Sequence, residues 1–223
     1  MARAAEFRTA FRCITLCAIG LAAGAAPAAA DDKRWQGFYV GAHAGLATGS
    51  TQSDIPVPLD YTMTGALTGM QIGYNWQDGL QVFGIEGSVS HSSVQGSTVC
   101  DFDLDCKRDV NWLATVVGRY GLTFGHTLVY GMAGAAWADI DTRVSFMGMP
   151  FLTGSTTRAG WIGGFGIEHA FSSQLTARIE YAHIDFGGGT QSLVLCGCSD
   201  TIPDRMDMTI DTIRLGMNLK LPN

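Results

Sequence analysis

From Phe38 onward, large apolar residues alternate with glycine, threonine, asparagine or charge, and no segment keeps a helical period. A period of two puts alternate side chains on opposite faces of a β-strand. Eight such stretches can be read, and their apolar faces follow in order. The first carries Phe38, Val40, Ala42, Ala44 and Leu46, the second Met70, Ile72, Tyr74 and Trp76, and the third Phe83, Ile85 and Val89. The fourth carries Val110, Trp112, Val116, Tyr120 and Leu122, and the fifth Leu128, Tyr130, Met132, Ala136 and Ala138. The sixth has Trp161, Phe165, Ile167 and Phe171, the seventh Leu175, Ala177, Ile179 and Tyr181, and the eighth Ile213, Leu215, Met217, Leu219 and Leu221. Eight strands of this length predict an all-β, antiparallel up-and-down barrel, small and closed.

Alternation leaves open which face points inward. A soluble barrel hides the apolar face, whereas a transmembrane barrel turns it to lipid. The opposite face decides: it is lined by Gly41, Gly45, Gly69, Gly73, Gly84, Gly131, Gly164, Gly166 and Gly216, with one lysine, Lys220. A water-facing surface would carry long charged side chains; a narrow lumen needs small ones. Connections also alternate in length. Residues 77–79, 123–126 and 172–173 make short turns, while 47–63, 91–109, 141–158 and 187–208 read as four long loops. Short periplasmic turns and long extracellular loops are the outer-membrane pattern. Tyr74, Trp76, Tyr120 and Phe171 fall beside short turns, and Trp112 and Trp161 beside long loops, as two interfacial girdles would. The apolar face is therefore expected to meet lipid.

Composition adds an address. Arg3, Arg8 and Arg12 precede an uncharged stretch from Cys13 to Ala26, then small residues to Ala30 and the pair Asp31-Asp32. This is the layout of a secretory signal peptide over 1–30, leaving 31–223 as the barrel domain. Losing the three arginines and Glu6 with it moves the net charge from −6 to −8, which argues against a nucleic-acid partner. Four cysteines remain, Cys100, Cys106, Cys196 and Cys198, and in an exported chain they read as disulfides. Spacing does not settle their pairing, although Cys100–Cys106 closes a comfortable loop and Cys196–Cys198 a strained one.

Few charges remain in the strands. Glu86, Glu168 and Glu180, the three glutamates of the mature chain, lie on the small face, and so do Arg119, Arg178 and Arg214. Counted from the short turns at ~3.3 Å per residue and a tilt near 40°, all six fall in the periplasmic half of one lumen. Three carboxylates and three guanidinium groups in that volume are expected to pair, since an unpaired buried charge is costly. Such a plug would hold the strands together; a conducting path through it is the alternative.

Particular stretches resemble a known family. Trp35-Gln36-Gly37-Phe38-Tyr39-Val40-Gly41, Gly118-Arg119-Tyr120-Gly121 and Leu128-Val129-Tyr130-Gly131-Met132-Ala133-Gly134 carry the likeness. So do Gly160-Trp161, Gly166-Ile167-Glu168, Glu180-Tyr181 and the closing Ile213-Arg214-Leu215-Gly216-Met217-Asn218. The chain resembles the small alphaproteobacterial outer-membrane barrels, the porin-like major outer-membrane proteins with an OmpA-type eight-stranded barrel. The resemblance implies outer-membrane location, assembly by the barrel-insertion machinery, and lipids and lipopolysaccharide as surroundings. One departure stands out: Leu219 and Leu221 replace the aromatic residues on which the family usually closes.

Other chemistry is thin. Asp101, Asp103 and Asp105 have the opening spacing of a calcium loop, but Cys106 replaces its glycine and Trp112 its terminal glutamate. His91 and Ser93 share an outward face without an orienting acid, because Glu86 has the opposite parity. His43 reads as a packed lumen residue, His126 as part of a turn, and His169 and His183 as interfacial. No catalytic set, metal site or cofactor is expected. The expected role is structural, an envelope scaffold presenting surface loops, with a narrow ion or solute channel and an adhesin or haem-binding receptor as rivals.

Overall fold

The computed structural model describes residues 33–53, 59–101, 104–146, 149–195 and 201–222. The expected leader, residues 1–30, therefore lies outside the described residues, as do Asp103, Cys196 and Cys198; the Cys100 side chain is likewise not described. Eight strands follow one another: β1 (Gly37–Ser53), β2 (Leu59–Asp78), β3 (Gln81–Asp101), β4 (Leu104–Phe124), β5 (Thr127–Phe146), β6 (Met149–Ala170), β7 (Leu175–Leu195) and β8 (Thr201–Lys220). Each pairs antiparallel with its neighbour, and β1 pairs with β8 from Tyr39↔Lys220 to Ser53↔Met206, so the barrel closes. Two of the tight turns depend on glycine. Gly79 and Gly125 sit at φ of 57° and 61°, a region that a Cβ disfavours.

The apolar faces read for strands one, two, three, six, seven and eight do point outward. Leu46, Met70, Phe165 and Leu215 are all more than 60% exposed in the isolated chain, the surface that acyl chains cover. Two readings are corrected. In β5 the phase is reversed: Leu128, Tyr130, Met132, Ala136 and Ala138 are buried in the lumen, and Val129, Gly131 and Ala133 face out. This strand is apolar on both faces, so hydrophobicity gives no phase, and the larger residues fill the barrel. In β4, Val110 is buried rather than outward, because a register irregularity between Val110 and Trp112 shifts the alternation.

The four long connections also have a different form from the one expected. They are mostly ladder, with Ala47↔Gly65 continuing to Ser53↔Leu59 and Lys107↔Arg143 continuing to Leu104↔Phe146. Strands of 17 to 22 residues exceed the ~9–11 that cross a bilayer. Roughly half of each strand therefore projects beyond it. In that outer half the sense of alternation inverts. Thr48, His91, Ser93, Lys107 and Arg143 face outward, whereas Met63, Val94, Ile140, Met208 and Ile210 are buried inside. Near lipid the interior is polar; in water the interior is apolar. One barrel obeys both solvents.

Candidate functional site

Inward positions on five strands place the charged side chains at one level. Glu86 comes from β3, Arg119 from β4, Glu168 from β6, Arg178 and Glu180 from β7, and Arg214 from β8. Two pairs are direct ladder partners, Glu168↔Arg178 and Glu180↔Arg214. Glycine makes the space: a Cβ on Gly216 would meet the Arg178 side chain at 3.1 Å, and one on Gly166 the Tyr130 ring at 2.6 Å. All six charged groups join in one chain of contacts. Arg119 donates to Glu168 at 2.7 Å and to Glu86 at 3.2 Å. Arg178 grips both Glu86 oxygens and lies 3.4 Å from Glu180, which Arg214 approaches to 3.5 Å. Each of these side chains is almost wholly buried, and the formal charges cancel.

Neutral groups complete the network. The Tyr39 hydroxyl donates to Glu86 at 2.7 Å and accepts from Arg119 at 2.7 Å, while Tyr130 donates to Glu180 at 2.6 Å. Thr176 and Asn218 donate to the second Glu168 oxygen. The Arg119 guanidinium also lies 4.0 Å from the Tyr130 ring centroid, a cation–π contact. Sequence reasoning missed both tyrosines. Tyr39 had the right parity, one step from outward Phe38; Tyr130 was hidden by the ambiguous phase of β5.

The lumen is layered about this cluster. Toward the short turns, Trp35, Val82, Leu128, Tyr130 and Ala170 form an apolar floor, and the Trp35 backbone N–H donates to Gln77 at 2.9 Å. Toward the other end, His43 bridges Gln71 at 2.7 Å and Ser90 at 2.8 Å, a satisfied buried histidine. Beyond it Leu67, Leu113, Ile140, Ile162, Ile184, Met208 and Ile210 fill the interior, each 2% exposed or less. Higher still, Arg108 donates to Thr51 and Thr142.

The expected girdle residues Tyr74, Trp76, Trp112, Tyr120, Trp161 and Phe171 are all outward and at least partly exposed. They stack with outward aromatics that were not singled out as girdle members: Phe38 lies 4.6 Å from Tyr74, and Phe83 lies 5.0 Å from Tyr120, between ring centroids. Cys106 is buried and disulfide-bonded. His91 and Ser93 are exposed on the outer surface, with Glu86 inside. Among the described residues no group of three or more His, Cys, Asp or Glu side chains could hold a metal ion.

Comparisons with known proteins agree with this architecture. A family model described as the outer membrane protein beta-barrel domain matches residues 15–220. The 31 kDa outer-membrane immunogenic protein of Brucella melitensis is 31% identical over 218 residues, covering 87% of this chain and 88% of that protein. The 22 kDa outer membrane protein of Rhizobium leguminosarum is 30% identical over 152 residues, 68% of this chain and 64% of that one. Among solved structures, the outer membrane protease OmpT of Escherichia coli superposes with a TM-score of 0.51 at 8% identity, covering 82% of this chain and 97% of that chain, a likeness of fold alone. A match across nearly the whole strand region, on a closed barrel with an apolar outer belt, makes this chain a member of the outer membrane protein beta-barrel domain family, resident in the outer membrane.

Proposed function

We propose that this protein is a non-conducting structural barrel, a rigid bilayer-embedded scaffold that stiffens the envelope and holds its outer hairpins at a fixed height. The observation that carries the reading is the dry stack above the ion pairs. Leu113, Ile140, Ile162, Ile184 and Ile210 fill the cross-section where a pore would need water. Opening that stack would expose side chains whose burial contributes ~1.5–3 kcal/mol each. The charged layer then serves as cement between strands, and the barrel needs no catalytic group. Single-channel recording in planar bilayers tests this: the expected trace is flat, and a steady conductance abolished by Arg119→Ala would overturn the scaffold reading in favour of a gated pore.

A second reading rests on the projecting strands. They carry the connections well outside the bilayer, and the Brucella relative is named as immunogenic, which suits a displayed surface. An adhesin or receptor would lose its ligand on deletion of the β3–β4 hairpin tip, 99–105, with the rest of the barrel intact; unchanged binding would remove the idea. His91 and Ser93 share an outward face in a layout similar to that of outer-membrane lipid A deacylases; that enzyme reading ends if His91→Ala leaves lipid A acylation unchanged. Assembly through the barrel-insertion machinery and leader removal after Ala30 belong to the same proposal, and the mature protein should begin at Asp31 on N-terminal sequencing.

A further inference from the structure

Residues 33–36, just ahead of β1, make a tight turn closed by the Gln36 N–H donating to the Lys33 carbonyl at 3.1 Å. The turn puts the Trp35 side chain inside the periplasmic mouth of the barrel, 5% exposed and packed with Val82, Leu128, Tyr130 and Ala170. From the other end of the chain, Lys220 of β8 donates to the Arg34 carbonyl at 3.0 Å and to the Lys33 carbonyl at 3.4 Å. The turn joins β1 through Gly37, whose φ of 124° lies where a residue with a Cβ is strained.

A cavity of about 20 Å³ lies beneath the turn, room for about one water. Trp35 and Lys220 line it from the mouth, and Glu168, Thr176 and Asn218 from the lumen. Thr176 and Asn218 donate to Glu168 at 2.5 and 2.8 Å, so the cavity borders the charged network itself. Arg119 holds the other Glu168 oxygen at 2.7 Å. An ion pair of this kind attracts strongly only while water is kept away.

We propose that residues 33–36 form a hinged periplasmic stopper, latched by Lys220, that keeps periplasmic water and ions off Glu168. Gly37 is the hinge, the Trp35 ring is the plug, and the Lys220 ammonium grips two carbonyls of the turn. Seated, the stopper leaves space for about one water beside Glu168. Released, the turn swings about Gly37, bulk water reaches the Arg119–Glu168 pair, and the attraction joining β4 to β6 weakens. The latch sits opposite Tyr39 on the closing strand, so the mouth shuts only when β8 has paired with β1. Dryness of the network is thereby coupled to completion of the barrel. The stopper lies at the end of the lumen opposite the apolar stack, and the proposal is independent of whether the lumen conducts.

The test puts a cysteine beneath the stopper. Asn75 is buried and lines the cavity, and Ser173 lines it from the exposed short turn. Modification of Asn75→Cys and Ser173→Cys by a cationic methanethiosulfonate is followed in refolded barrel by mass spectrometry of the peptide carrying the new cysteine. With the native turn, Asn75→Cys should react about a hundredfold more slowly than Ser173→Cys, as a site reached only by local opening does. Adding Lys220→Met, which keeps the length and loses the donor, should speed Asn75→Cys about tenfold or more, and Lys220→Arg should keep it slow. Trp35→Ala should speed it as well; should that variant fail to fold, Lys220→Met, at a half-buried position on the rim, still decides. Equal rates at the two cysteines under the native turn, or no acceleration in folded Lys220→Met, would each overturn the proposal. Planar-bilayer recording on the same variants judges the scaffold reading separately.

Discussion

Arg178 and Glu86, 92 positions apart in the chain, meet inside the barrel as a two-pronged ion pair, with Nη2 donating to Oε1 at 2.9 Å and Nη1 to Oε2. Glu86 also receives Arg119, and Arg178 also approaches Glu180, so this one pair links the two halves of the network.

Arg178→Ala should therefore leave three buried carboxylates sharing two guanidinium groups, with Glu86 and Glu180 each short of a partner. Breaking a buried pair from one side costs about 3–5 kcal/mol. The measurement is the urea midpoint for unfolding from lipid vesicles, which should fall strongly. Arg178→Lys, which keeps the charge but loses the fork, should fall less. Replacing Glu86 and Arg178 together with Leu and Met should recover much of the loss. An unchanged midpoint in Arg178→Ala would show that the network does not hold the strands.

The phase of β5 can be read directly. A fluorophore on Val129→Cys or Ala133→Cys should be quenched by nitroxides carried on lipid chains, and one on Leu128→Cys or Ala136→Cys should not. The opposite order would restore the phase expected from the pattern of large residues. Ala133→Arg should likewise cost ~2–4 kcal/mol, as charge does on a lipid face near mid-bilayer.

Leu113 tests the outer core. It is 2% exposed, in the half of the barrel that stands in water. Leu113→Ala should destabilise by about 2–5 kcal/mol through lost burial and a residual cavity. His91→Ala, on the outside at a similar height, should stay within about 0.5 kcal/mol. If both were neutral in urea titrations, the projecting strands would not form a packed core.

For the disulfide at Cys106, Cys100 is the proposed partner, since Thr98 lies opposite Cys106 and Cys100 is two residues further along β3. Peptide mapping without reductant should recover a 100–106 link. Cys106→Ser should lower stability by about 2 kcal/mol, as expected for so short a loop. A link from Cys106 to Cys196 or Cys198 would contradict the pairing.

Much of this protein is legible in one dimension. A side-chain period of two is a property of the extended chain, so the eight strands, their order and the outward faces of six of them follow from residues such as Phe38, Ile72, Phe165 and Leu215. The charged layer is also legible, because Glu86, Arg119, Glu168, Arg178, Glu180 and Arg214 are scarce charges of one parity. Three things depended on the closed barrel. Which face of β5 is inside turns on volume, because Tyr130 and Met132 fill space that Gly131 and Ala133 would leave empty. The partners of each charge are set by register and by the glycines opposite, so Tyr39 and Tyr130 enter the network only in three dimensions. Where the strands end was obscured because the alternation reverses sense once the strand leaves lipid for water. A hydrophobic pattern records that a residue avoids water; which side of the wall is dry depends on where the bilayer stops, and that is decided only when eight strands close around a lumen.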